Sequence, residues 1–158
     1  MKKILFILAT AVLTSCGFTP MYSGKTTDIY VAPISGIDGI ELRNALWAEF
    51  GNQYGEDATY TLNVKLNTPQ TQYKALEQTG DAAWQEVSLT ANYVLKHGNT
   101  EIASGSERAA ESYPFVSYLV ASNASYNNAV KNVIRTLSEQ ISARVIAETY
   151  KYEHKDKQ

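Results

Sequence analysis

Between residues 84 and 96 apolar and polar side chains alternate: Val87, Leu89, Ala91, Tyr93 and Leu95 fall on one parity, Ser88, Thr90, Asn92 and Lys96 on the other. A period of two means a β-strand with one dry and one wet face, because successive side chains leave a strand on opposite sides. The chain must therefore build an antiparallel sheet, cover one of its faces and leave the other in water. The cover is legible further on. Tyr126, Val130, Val133, Leu137, Ile141 and Val145 recur every three or four residues, with Lys131, Arg135 and Glu139 opposite, which predicts an amphipathic helix over residues 123–150. At 1.5 Å per residue that helix spans about 42 Å. The strand, at about 3.4 Å per residue, spans about 44 Å, so the two match in length.

The remaining elements are shorter. Residues 29–34 are β-branched and aromatic and run into Pro33, which suits an edge strand because proline has no N–H to give a central ladder. Asp38 and Glu41 stand three apart in the manner of a capping box before a helix over residues 40–50, where Leu42, Leu46, Phe50 and Tyr54 share a face and Gly51 and Gly55 follow. Tyr60, Leu62, Val64 and Leu66 alternate with Thr61, Asn63, Lys65 and Asn67 as a strand. His97-Gly98-Asn99-Thr100 signals a two-residue hairpin into a third, polar and weakly patterned segment over residues 100–113. Residues 68–83, with Pro69, Gly80 and Asp81, read as a long loop or as an extended, twisted continuation.

Together these predict an α+β two-layer sandwich: a four-stranded, mainly antiparallel sheet with two helices on one face, in the order βαβββα. With 158 residues, 44% apolar and 19% charged, the chain is one domain, expected over residues 29–150, with a frayed charged tail at 151–158.

The first fifteen residues stand apart. Lys2 and Lys3 precede an apolar run over residues 4–12, too short for the roughly 20 residues of a membrane span and suited to a cleaved export signal. The run ends in Leu13-Thr14-Ser15-Cys16, which resembles the bacterial lipobox, and the chain's one cysteine falls at the expected cleavage point. Such a cysteine becomes the mature N-terminus, diacylated on sulfur and acylated on its amine. Each buried methylene contributes about 0.8 kcal/mol, so three chains hold for good where one holds marginally. Residues 16–28 then read as a lipidated tether, and Gly17 in place of an aspartate favours passage to the outer membrane by analogy with lipoprotein sorting.

Little in the composition invites catalysis. One cysteine and two histidines exclude a Cys/His metal cluster, a Cys–Cys redox pair and a disulfide framework, so neither metal nor cofactor is expected beyond the covalent lipid on Cys16. His97 flanks a turn and His154 lies in the tail. Glu107 and Glu111 have the residue types of an acid–base pair, but polar strand positions explain them. The chain is expected not to be an enzyme. Without Lys2 and Lys3 the balance is 12 basic against 16 acidic side chains, and a net −4 gives no general attraction to nucleic acid. Lys65, Lys74, Lys96 and Arg108 fall on the wet sheet face or nearby loops. A solvated, edge-protecting face accounts for them, and a short-range ledge for phosphates is the functional alternative. Eleven tyrosines against four phenylalanines suit strands and also a protein interface.

Cys16-Gly17-Phe18-Thr19-Pro20-Met21-Tyr22, then Ile29-Tyr30-Val31-Ala32-Pro33-Ile34, then Leu42-Arg43-Asn44-Ala45-Leu46 resembles the LPS-assembly lipoprotein family (LptE), particularly its alphaproteobacterial branch. The resemblance extends to the Tyr60, Leu62, Val64 strand and loosely to the closing helix; residues 68–114 carry none of its sharp motifs. It implies a small sandwich, anchored in the inner leaflet of the outer membrane on its periplasmic face. There it plugs and helps assemble a very large LPS-export β-barrel, and binds lipopolysaccharide for delivery to the cell surface. Lys65, Lys74, Lys96 and Arg108 are the candidates for meeting its phosphates, chosen by face and charge. Two other readings are an auxiliary lipoprotein of a lipid-trafficking ABC transporter and an envelope hydrolase, the latter requiring a buried ionisable pair in a cleft.

Overall fold

The computed structural model describes residues 28–51, 55–76, 82–116 and 118–155. Cys16 with its signal, the tether up to residue 27, Tyr54, Gly80, Asp81 and residues 156–158 lie outside the described residues. Five strands and two helices follow in the order β1 (Ile29–Val31), α1 (Ile37–Phe50), β2 (Tyr60–Leu66), β3 (Gln70–Leu76), β4 (Ala82–His97), β5 (Thr100–Pro114) and α2 (Leu119–Lys155). They form one mixed sheet with both helices on one face, the expected two-layer α+β sandwich.

The sheet has five strands where four were expected, and the fifth comes from the ambiguous stretch after Leu66. β4 is 16 residues long and pairs with β5 along one edge; its other edge is shared, with β2 opposite Ala91 to His97 and β3 opposite Ala82 to Ser88. β2 and β3 are thus two halves of one lane, the extended continuation. At the joint the Asn67 N–H still donates to Thr90 O at 2.9 Å. β1 is a parallel edge strand on β2, in register Ile29 to Tyr60 and Val31 to Leu62.

Parity decides burial. Val87, Leu89, Ala91, Tyr93 and Leu95 point into the core with Tyr60 and Leu62, and α1 lays Leu42, Leu46 and Phe50 against them. From α2 come Val130, Val133, Leu137, Ile141 and Val145, all buried, with Tyr126 at the margin. Each such side chain contributes about 1.5–3 kcal/mol on full burial. Ser138, Ser142 and Thr149 are buried on the same helix, and their hydroxyls donate to the carbonyls of Arg135, Glu139 and Ile146, whereas Gln140 Oε1 on that helix and Trp47 Nε1 on α1 are buried without a hydrogen-bond partner.

Three helix boundaries differ from expectation, one of them the start of α2, at Leu119 rather than residue 123. α1 starts at Ile37 rather than residue 40, and Gly36, at φ 88°, occupies its N-cap with no side-chain cap bond; Asp38 lies inside the first turn, so the Asp38/Glu41 capping box does not form. A glycine can take that backbone where a capping side chain would be strained. α2 runs past residue 150 to Lys155, because its end is packed and not frayed: His97 lies between Tyr60 and Tyr152, 5.3 Å from each ring.

Candidate functional site

The helices cover one face of the sheet and leave the other bare. Facing outward on it are Thr61, Asn63 and Lys65 from β2, Glu86, Ser88, Thr90, Asn92, Val94 and Lys96 from β4, and Ser104, Ser106 and Arg108 from β5, as the strand registers require, although Ser88 is itself buried. All four predicted cations lie on this face. Lys65 is exposed and stands opposite Asn92. Arg108 stands opposite Thr90, and its Nη2 donates to Ser88 Oγ at 3.1 Å. Lys96 is half-buried between Thr61 and Glu101, and Lys74 on β3 pairs with Glu86 at 3.1 Å.

They share a face without forming one pocket. Lys65 and Arg108 are two strands and two residues apart, about 12 Å between Cα atoms. From Lys96 to Glu86, the partner of Lys74, β4 runs about 34 Å. Glu86 and Glu101 interrupt the row. This geometry suits several separated phosphates on an extended anionic surface, and it lacks the convergent donors that clamp one phosphate. Parity in the sequence locates the face; the separations depend on the strand register, which only the fold supplies.

Glu107 points into the helix side and meets Arg144 of α2 at 3.4 Å, while Glu111 is exposed four residues on, about 14 Å along the strand between Cα atoms and too far for a glycosidase-type carboxylate pair. His154 donates from Nδ1 to Tyr150 O at 2.8 Å, and its ring stacks on that of Tyr150. A shallow groove of about 220 Å³ opens between the starts of α1 and α2, with Asp38, Glu41 and Lys131 at its rim and Tyr126 in its wall. Burial first, then the Asp38 charge, pushes the Tyr126 phenol up. Among the described residues no group of three His, Cys, Asp or Glu is placed to hold a metal.

Two features escape a reading by motif. Arg43 donates from Nε to Val31 O at 2.9 Å, with its guanidinium 4.3 Å from the Trp47 ring and 5.9 Å from that of Tyr30, and so closes the outer edge of β1. An Arg four residues before a Trp, beside a buried Leu, is the signal that finds it. The second is a set of exposed apolar side chains at one end of the sheet, around Trp84, Phe115 and Tyr118. Its signal is a run without charge over residues 112–130.

A narrow sheet with two helices on one side and a bare polar face on the other defines the class of fold. Solved structures that share it include a Caulobacter crescentus protein classed as a lipoprotein, with TM-score 0.63 and 17% identity over 79% of this chain and 90% of that one. The rare lipoprotein B of Shewanella oneidensis gives TM-score 0.63 and 14% identity over 80% and 98%. A minor lipoprotein of Acinetobacter baumannii gives 0.59 and 16% over 78% and 93%. At such identities the likeness is one of fold. No protein-family model matches the sequence, and no curated protein does so at a significant level.

Proposed function

We propose that this chain is a lipid-anchored envelope protein of the LPS-assembly type. It is held at the outer membrane by acyl chains on Cys16, plugs and helps assemble a large LPS-export β-barrel, and binds lipopolysaccharide on its open sheet face. The role is structural and not catalytic. The observation that carries the reading is the bare face itself: a largely polar surface, about 50 Å long on the scale of β4, with Lys65, Lys74, Lys96 and Arg108 spaced along it and, among the described residues, no helix over it. An antiparallel sheet tolerates water on one face, and a polar lumen wall accepts such a face as readily. A barrel wide enough to admit a whole domain has more than about twenty strands. The lipobox at Cys16 and a fold shared with proteins named as bacterial lipoproteins support the anchor.

The test is lipopolysaccharide binding by a variant in which Lys65, Lys74, Lys96 and Arg108 are replaced with Ser, beside one in which Lys131 and Arg135 of α2 are. The first is expected to bind more weakly and with less dependence on salt, the second like the parent. Equal binding by all three removes the sheet face from the account.

A further inference from the structure

The four cations of the open face have unlike surroundings. Lys74 meets Glu86 at 3.1 Å and Lys96 stands opposite Glu101, so each shares its place with a carboxylate. Lys65 is exposed opposite Asn92, with no hydrogen bond or ion pair to hold it among the described residues. Arg108 is held and yet meets no acid. Its Nη2 donates to Ser88 Oγ at 3.1 Å, and among the described residues no carboxylate pairs with the guanidinium.

Ser88 is the odd residue of that face. Its parity points it toward water, but it is 3% exposed. On its own row stand Ala110, with no polar side-chain atom, and Gln70, whose Nε2 donates to Thr68 O at 3.3 Å. Arg108 stands one row along, opposite Thr90, and reaches Ser88 on the diagonal, a separation of about 7–8 Å that a long side chain bridges. A buried hydroxyl without a partner is costly, so the contact is favoured from both sides. The tip of Arg108 is thus tied to the sheet while the residue as a whole stays exposed.

A cation fixed in advance gives up less rotamer freedom on meeting an anion than a lysine that swings in water. A guanidinium also offers parallel N–H donors that fit two oxygens of one phosphate, and it needs no second cation beside it, where an ammonium acts as a point charge. We propose that Ser88 positions Arg108 as the phosphate-specific contact of the open face, and that the three lysines add general attraction. This assignment rests on the lipopolysaccharide reading and narrows it from a row of charges to one fork.

The test is binding of lipopolysaccharide, and of the same material dephosphorylated, by the full-length chain. Two variants leave the charge of the face unchanged: Arg108→Lys removes the fork and Ser88→Ala removes its tie. Each is expected to bind the phosphorylated form about two- to ten-fold more weakly and the dephosphorylated form like the parent. A packing role for Ser88 would instead weaken both forms alike. Adding Ser88→Ala to Arg108→Gln is expected to cost nothing further, because Ser88 acts through Arg108. Parent-like binding of the phosphorylated form by either single variant, equal losses on both forms, or additive losses in the double variant overturns the assignment. If the variant lacking all four cations binds weakly while Ser88→Ala binds like the parent, the lipopolysaccharide reading stands and the positioning role alone falls.

Discussion

Tyr113 and Gln85 face each other across β4 and β5, both buried, and the Tyr113 hydroxyl donates to Gln85 Oε1 at 2.5 Å. Removing that donor leaves a buried acceptor short of a partner, so Tyr113→Phe is expected to cost about 1–3 kcal/mol in chemical denaturation. A variant as stable as the parent would mean that the bond contributes nothing net. Several phenols share a second property. Burial, then the Glu153 carboxylate beside it, pushes Tyr60 from an ordinary 10.0 up to about 12. Burial raises Tyr93, Tyr113 and Tyr126 as well. In the unfolded chain these groups ionise near 10 while the fold keeps them protonated. Their contribution to stability is therefore whole below pH 10 and lost as pH rises from 10 towards 12. A melting temperature that is level at neutral pH and falls across that window is expected, and one that stays level through it would contradict these environments. None of this was legible in the sequence, where a tyrosine in a strand looks the same whether or not Gln85 or Glu153 lies across from it.

At the scale of elements, periodicity was informative wherever one face is fully apolar. The dry parity of β4 and the stripe of α2 are the plainest cases, and both bury the residues that the spacing selects. β5 was faint for a physical reason: its inward positions hold Ala103, Gly105, Glu107 and Ala109, small residues under α2 and one acid paired with Arg144. Gly105 is required there. The Tyr93 ring crosses above it, and a Cβ at position 105 would come within 2.6 Å of the Tyr93 hydroxyl oxygen and 2.7 Å of Cζ. Gly105→Ala is expected to destabilise by about 1–3 kcal/mol through displacement of that ring, read as a lower denaturation midpoint with unchanged slope. The start of α1 was misread because a glycine in a positive-φ conformation fills the cap position, and side-chain capping rules do not see it. The joint between β2 and β3 was ambiguous because a bent lane carries Pro69 at the bend, the same residue that would mark a loop.

For the whole molecule the decisive property is asymmetry: helices on one side, a bare, largely polar sheet on the other. Composition and parity announced the open face and its four cations, but not that they are strung along the strands, since distance between strands is a property of register. The anchor makes its own prediction: intact mass of the mature chain from its native envelope is expected to begin at Cys16 and to carry three acyl chains, and a free thiol would remove the anchor. The most direct test of the docking role is extraction of the full-length protein in mild detergent, followed by identification of whatever remains bound in equal amount. The account predicts one outer-membrane β-barrel of more than about twenty strands. A lipid-trafficking ABC transporter in its place, or no stable partner at all, would contradict it.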